Sequence, residues 1–264
     1  MTVLDLPAAP TSGTLGGVSF VVLGEGGPTT VFAHGLGGSI AETRPLATRV
    51  AGTRVLLDFR GHGDSAVLED GWDYDLLADD LLAVADHVGA TQAVGLSLGS
   101  GALLRALARD PGRFTKVAFV LPAAIDSARR DGATERLHRL GAAIERQDAR
   151  ATADILLEEL PDEVRRRRGV DALVLRRAGQ LVTKPAPAPR HEDRPLPDRS
   201  VLARLTCPAL VLAQTDDPLH PADLAAELAA ALPASELVVL PEGGVFWTAA
   251  REAQSALARH LAED

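Results

Sequence analysis

The feature that most constrains this chain is a short segment with glycine at both ends and serine at its centre. Residues 95–99 read Gly-Leu-Ser-Leu-Gly, between a strand-like run at 91–94 and an Ala- and Leu-rich helical pattern at 98–108. The two glycines permit a sharp strand-to-helix turn with close packing of the helix, and such a turn exposes the serine hydroxyl. Ser97 is therefore a candidate nucleophile. The alternative is a glycine-rich turn with an incidental serine.

Short apolar runs alternate with helical patterns on both sides of this turn. Residues 73–88, for example, carry Leu77, Leu81 and Val84 at helical spacing. The alternation predicts an α/β fold with a mostly parallel central sheet flanked by helices. The predicted strands are 18–23, 29–33, 54–57, 91–94, 116–121, 209–213 and 236–240, and the predicted helices are 73–88, 98–108, 221–231 and 248–261.

The alternation stops after about residue 122 and resumes at Cys207. Residues 125–180 have helical patterns rich in arginine, and residues 184–199 form a proline-rich extended linker. Helices inserted between two strands are typical of a cap. We therefore expect a core domain of residues 1–124 and 201–264, with a helical cap and linker over 125–200, inserted after the sixth strand.

The composition limits the classes of molecule that this chain is expected to bind. The net charge of −9 disfavours nucleic acid and anionic membrane surfaces, which attract basic proteins, so a small molecule is the expected partner. Cys207 is the only cysteine, which excludes an internal disulfide and a cysteine-based zinc cluster. Neither a metal nor a cofactor is implied by any motif, and the oligomeric state stays open.

Targeting signals are also missing from the sequence. No apolar run approaches the roughly 20 residues of a membrane span. Residues 1–5 lack the basic start of a signal peptide, and no apolar segment follows them. A cytoplasmic location is therefore expected.

Two further segments of the sequence resemble motifs of a known protein family. Residues 31–38 read Val-Phe-Ala-His-Gly-Leu-Gly-Gly after a predicted strand, and residues 58–65 read Asp-Phe-Arg-Gly-His-Gly-Asp-Ser. Together with residues 95–99 they resemble, in the right order, three motifs of the α/β-hydrolase superfamily, and in particular of its capped, esterase-like branch. The resemblance spans nearly the whole chain and implies the α/β-hydrolase fold.

The resemblance also implies an oxyanion hole. In this family it consists of the backbone N–H after the nucleophile and one from the His-Gly loop, which correspond here to Leu98 and Leu36. Such donors stabilise charge that develops only in the transition state. The two histidines of these motifs, His34 and His62, are expected to shape their loops rather than to act as bases.

The catalytic carboxylate of the family has a matching position at Asp217, four residues before Pro221, with Asp216 as the neighbouring alternative. The catalytic histidine of the family has no matching histidine in this chain. After the last strand the family has a Gly-His pair, whereas this chain has Gly244 followed by Val245. Valine transfers no proton, so a conventionally placed triad is absent.

His220 is a candidate replacement for the missing base. The sequence Asp-Pro-Leu-His at 217–220 has the composition of a β-turn, which brings its first and last α-carbons within about 7 Å. The alternative is that His220 only caps a helix that begins at Pro221. His138, in the predicted cap, is a more distant third candidate.

Three classes of function remain open. The first is a hydrolase of a small ester, thioester or lactone, with Ser97 as nucleophile, Asp217 as acid and His220 as a relocated base. The second is a non-hydrolytic enzyme that performs an elimination, cyclisation or rearrangement in the same pocket, for which a complete triad is unnecessary. The third is a small-molecule-binding protein that keeps the fold without catalysis.

Overall fold

A computed structural model of the protein describes residues 11–127, 131–190 and 194–262. Residues 1–5, considered above for a signal peptide, lie outside this part. The strands are β1 (Thr11–Leu15), β2 (Val18–Leu23), β3 (Thr29–Ala33), β4 (Thr53–Asp58), β5 (Gln92–Leu96), β6 (Lys116–Val120), β7 (Ala209–Gln214) and β8 (Ser235–Leu240). The helices are α1 (Ile40–Ala47), α2 (Tyr74–His87), α3 (Leu98–Arg109), α4 (Asp131–Glu145), α5 (Ala149–Glu158), α6 (Asp162–Arg165), α7 (Val170–Thr183), α8 (Ala222–Ala231) and α9 (Ala250–Leu261).

The strands form one sheet in the order β1-β2-β4-β3-β5-β6-β7-β8. Pairing is antiparallel between β1 and β2 and between β2 and β4, and parallel from β4 across to β8. Central strands are buried on both faces, as parallel strands covered by helices must be, and β5 is buried along its whole length. The predicted mostly parallel sheet flanked by helices is confirmed.

Alternate residues of each strand face two separate layers of helices. Val31 of β3 packs in a cluster with residues of α2, α3 and α8, whereas its neighbour Phe32 packs in a cluster with residues of α1 and α9. This is the period of two that a strand imposes. The sheet is therefore the middle layer of three.

Two elements lack the apolar pattern that would have predicted them. The edge strand β1 is half exposed, and its sequence Thr-Ser-Gly-Thr-Leu has no run of β-branched apolar residues. Helix α1 carries Pro45 within it, although Ser39 caps its first turn by accepting a hydrogen bond from the Ala41 N–H.

The final helix begins at Ala250, two residues later than predicted, because Gly244–Thr248 form a separate π-helical turn.

In the part of the chain that the structure describes, helices α4 to α7 lie between β6 and β7, in the region predicted to be a cap. They have a small apolar cluster of their own, which includes Ala153, Val174 and Ala178, and Trp247 from the segment after β8 packs against it. Both ends of the insertion are anchored on the sheet, since Ile125 and Leu196 belong to its larger core cluster. Among the described residues, no helix has the length and hydropathy needed to cross a bilayer.

The approach of α3 to β3 leads to a first prediction. A Cβ atom at Gly99 would lie 2.4 Å from the Ala33 carbonyl oxygen, so the helix has to move to admit one. We expect Gly99→Ala to lower the free energy of unfolding by about 1–3 kcal/mol, measured by urea denaturation. The matched control is Gly179→Ala in α7, where a Cβ meets nothing within 4 Å. Unchanged stability of the Gly99 variant would contradict the close approach.

Candidate active site

Ser97 lies at the junction of β5 and α3 in a conformation that side chains rarely adopt. Its φ is 50° and its ψ is −106°, and its N–H donates to the Val120 carbonyl at 2.9 Å. Gly95 must be glycine here, because a Cβ atom would lie 2.3 Å from the Gly99 carbonyl oxygen. The strained turn leaves Ser97 partly exposed at the carboxyl end of the sheet.

The hydroxyl of Ser97 begins a series of hydrogen bonds. Ser97 Oγ lies 2.9 Å from His220 Nε2, and His220 Nδ1 lies 3.0 Å from Asp217 Oδ2. An ionised carboxylate only accepts hydrogen bonds, so Nδ1 carries the imidazole proton and Nε2 accepts from the hydroxyl. The three side chains therefore have the relative orientation of a nucleophile, a general base and the acid that orients the base.

The loop after β7 brings the histidine and the aspartate together locally. Asp217 Oδ1 accepts hydrogen bonds from the N–H groups of Leu219 and His220 at 2.9 and 3.0 Å, so the aspartate side chain itself closes the turn. The capping interpretation of His220 is wrong. Helix α8 begins at Ala222 with Pro221 at its N-cap position and no side-chain cap, and the His220 ring is bonded to Asp217 and Ser97 instead.

The other sequence candidates lie apart from this series. Asp216 is exposed and has a φ of 56°, so Asp217 is the carboxylate that meets the histidine. His138 is exposed on α4.

Burial alone would raise the pKa of Asp217, but hydrogen bonds and charge from His220, with further donors, outweigh burial and hold that pKa below its usual value. Asp217 is therefore ionised at neutral pH.

Gln214, at the end of β7, was not singled out by the sequence. Its Nε2 donates to Asp217 Oδ2 at 2.8 Å, and its Oε1 accepts from the Val245 N–H at 3.1 Å. Val245 itself is buried in the turn after β8. At the position where the resemblance leads one to expect a histidine, the Val245 N–H thus orients Gln214, which in turn donates to the Asp217 carboxylate.

The predicted oxyanion loop lies against Ser97. A Cβ atom built on Gly35 would lie 3.4 Å from the Cβ of Ser97, and the loop is closed by a hydrogen bond from the Gly38 N–H to the Gly35 carbonyl at 2.9 Å. Leu36 lies within this turn. Leu98 is the first residue of α3, where N–H groups have no partner within the helix. The turn that contains Leu36 therefore lies beside Ser97, and Leu98 follows Ser97 directly in the sequence.

Both histidines of the loop motifs are buried and bonded to backbone. His34 Nε2 accepts from the Phe59 N–H at 3.0 Å, so its Nδ1–H donates to the Gly35 carbonyl at 2.7 Å. Burial and the neighbouring His62 lower the pKa of His34 to about 3. His62 Nδ1 lies 3.3 Å from the Arg60 carbonyl. This bonding fits the expected role of shaping the loops.

Two carboxyl groups near the site were also missed. Glu42 Oε2, from α1, accepts from the Gly35 N–H at 3.0 Å, and burial raises the pKa of Glu42. Glu159, which follows α5, accepts from Arg136 Nε at 3.0 Å. Its pKa is raised by burial and, to a smaller degree, by the charge of Asp217. Neither residue belongs to a recognisable motif, because each reaches the site through tertiary packing.

No group of three or more His, Cys, Asp or Glu side chains in the described ranges is arranged to hold a metal ion.

Comparison with known proteins gives a family match over most of the chain. Residues 30–257 match the alpha/beta hydrolase family. The dihydrolipoyllysine-residue acetyltransferase component of an acetoin cleaving system from Pseudomonas putida is 30% identical over 233 residues, which cover 85% of this chain and 60% of that protein. This chain thus spans less than two thirds of the length of that curated relative.

Solved structures confirm the α/β-hydrolase fold. An esterase from Exiguobacterium antarcticum is 21% identical, with a TM-score of 0.71 over 92% of this chain and 95% of that one. A thermophilic esterase from Thermogutta terrifontis is 20% identical, with a TM-score of 0.72 over 94% of this chain and 97% of that one. At this level of identity the similarity shows the fold alone.

Gln214→Leu tests the link between the aspartate and the turn after β8. The substitution removes the donor to Asp217 and the acceptor for the Val245 N–H, both partly buried. We expect the free energy of unfolding to fall by about 1–3 kcal/mol in urea denaturation, the usual cost of polar groups left without partners. Gln180→Leu, at an exposed position of α7, serves as the control and should change little. Equal stability of both variants would contradict the bridging role.

The pKa of His34 predicts its behaviour between pH 8 and 5. Because its folded pKa is about 3, the ring should stay neutral, with the proton on Nδ1, in ¹⁵N NMR spectra across this range. Below the unfolded pKa of about 6.5, unfolding takes up a proton at this ring, so its contribution to stability falls by about 1.4 kcal/mol per pH unit. A titration midpoint between pH 5 and 8 would contradict the buried bonding.

Proposed function

From the premise that this chain belongs to the alpha/beta hydrolase family, we propose that it is a serine hydrolase of a small-molecule ester, thioester or lactone. The observation that carries the proposal is the series of hydrogen bonds from Asp217 through His220 to Ser97, at 3.0 and 2.9 Å. The side chain of His220 is 14% exposed and that of Asp217 is 11% exposed, so the imidazole lies in a largely desolvated environment.

In the proposed acylation step, His220 Nε2 takes the proton from Ser97 as its Oγ attacks the substrate carbonyl. The imidazolium that forms is stabilised by the ionised Asp217 at Nδ1. The N–H groups of Leu36 and Leu98 bind the oxyanion of the tetrahedral intermediate. When the intermediate collapses, His220 returns the proton to the leaving alcohol or thiol, and an acyl-serine remains.

In the second half of the reaction, His220 takes a proton from water, and the resulting nucleophile attacks the acyl-serine. The second tetrahedral intermediate releases the acid product, and the proton passes from His220 back to Ser97 Oγ. Each group thus returns to its starting state, with one water consumed for each acyl bond cleaved.

The relocated histidine is consistent with how triads are recognised, which is by geometry and roles rather than by sequence position. The lack of a histidine at position 245 is the reason to favour a non-hydrolytic reaction. That reason loses weight because His220 offers a base within hydrogen-bond distance of Ser97.

The relative from Pseudomonas putida bears the name of an acetyltransferase component that acts on dihydrolipoyllysine residues. That name describes transfer of an acyl group, and the first half of the proposed reaction transfers an acyl group to Ser97, so thioesters stay among the proposed substrates. The net charge of −9 supports a small molecule, and neither nucleic acid nor an anionic membrane, as the partner. We also retain the cytoplasm as the proposed location.

His220→Ala tests the base. We expect kcat for p-nitrophenyl acetate to fall by about 10²–10⁴-fold, the usual contribution of general-base assistance. His138→Ala, which removes an exposed histidine of α4, is the matched control and should keep wild-type turnover. Wild-type turnover that persists in the His220 variant would rule out the relocated base.

A fluorophosphonate probe tests the nucleophile in the same proteins. Mass spectrometry should find the label on Ser97 in the wild type and none in Ser97→Ala, because only an activated serine reacts. Val245→His should add little turnover, since the base is already in place. A wild-type protein that takes no label and cleaves no ester, thioester or lactone would contradict the proposed function.

A further inference from the structure

The cap contacts the oxyanion loop directly. Arg177 of α7 donates from Nη2 to the Gly37 carbonyl, across 140 positions of sequence. Leu181 lies one turn later on the same face of α7, and a Cβ atom on Gly37 would lie 2.8 Å from its Cδ2 atom. One face of a cap helix thus packs on the turn that contains Leu36.

The same turn is also held by groups outside the inserted helices. The Gly35 carbonyl accepts from the Gly38 N–H and from His34 Nδ1, at 2.9 and 2.7 Å. The Gly35 N–H donates to Glu42 at 3.0 Å. Because a peptide unit is planar and trans, fixing the Gly35 carbonyl also fixes the direction of the N–H of the next residue, Leu36.

We propose that Arg177 is a positioning residue for the oxyanion hole, which holds the Gly37 peptide from the cap so that the Leu36 amide stays fixed beside Ser97. The core groups hold the peptide unit between Gly35 and Leu36. Arg177 holds the peptide unit between Gly37 and Gly38. The inference rests on the proposed function, since an oxyanion forms only when Ser97 attacks a carbonyl.

Charge supports the choice of arginine at this position. The carboxyl group of Glu42 lies beside the loop, and an ionised carboxylate there disfavours a developing oxyanion. The guanidinium of Arg177 interacts favourably with that carboxyl, which opposes the effect of burial on it. An arginine thus combines a hydrogen bond to Gly37 with a positive charge that offsets Glu42.

Arg177→Met removes the donor and the charge while keeping much of the side-chain length. We expect kcat for p-nitrophenyl acetate to fall by about 10–100-fold, less than the 10²–10³-fold cost of deleting an oxyanion donor, because the Leu36 amide is displaced rather than lost. KM should stay within about twofold, since the contact acts on the transition state. Arg177→Lys, which keeps a donor and a charge, should recover part of the loss.

Arg176→Met is the matched control, because Arg176 is the exposed neighbour on the same helix, and it should keep wild-type kcat and KM. Affinity for a trifluoromethyl ketone, whose adduct with Ser97 carries an oxyanion, should fall in parallel with kcat in the Arg177 variants. A purely structural role would lower the melting temperature without this parallel loss.

Leu181→Ala gives a second test that leaves the charge in place, and it serves if the methionine variant does not fold. We expect its kcat to fall by about three- to tenfold, a fraction of the value of a whole donor. Folded variants with wild-type kcat, or with a changed KM alone, would overturn the inference while the proposed function stands. A wild type without turnover or serine labelling would overturn both.

Discussion

The site depends on parallel strands that end at one edge of the sheet. From β4 across to β8 every pairing is parallel, so the loop after β3, the turn after β5 and the segments after β7 and β8 all leave from the same edge. In register, Ala33 pairs with Gly95 and Gln214 with Leu240. The loop at residues 34–38 therefore emerges beside the turn at Ser97, and Gln214 emerges beside the turn that contains Val245.

The position of the histidine changes how the site is assembled. Asp217 and His220 are three residues apart and are joined both through the ring and through backbone N–H groups, so their pairing is determined within one turn. Only the contact with Ser97, 123 residues away, depends on the sheet. The turn after β8 keeps a supporting role, because its Val245 N–H orients Gln214. A valine at that position is thus compatible with a complete series of hydrogen bonds.

Local sequence patterns predicted those parts of the molecule whose conformation is determined by residues close together in the sequence. The central strands, the strained turn at Ser97 and the turn at 217–220 follow from apolar runs, glycine spacing and proline in the sequence. Glu42 and Arg177 could not be found this way, because they reach the loop at Gly35 and Gly37 from the distant helices α1 and α7 and belong to no motif. The predicted first helical residue, Pro221, lies one position before the observed start of α8 at Ala222, a difference that the local pattern does not resolve.

A crystal structure of the protein after reaction with a phosphonate ester tests the central claim most directly, because the adduct imitates the tetrahedral intermediate. The account predicts a covalent bond to Ser97 Oγ, with one phosphoryl oxygen about 2.7–3.1 Å from the N–H groups of Leu36 and Leu98. His220 Nε2 should remain within hydrogen-bond distance of the adduct while Nδ1 stays bonded to Asp217. An adduct on another residue, or a His220 ring turned away from Ser97, would contradict the account.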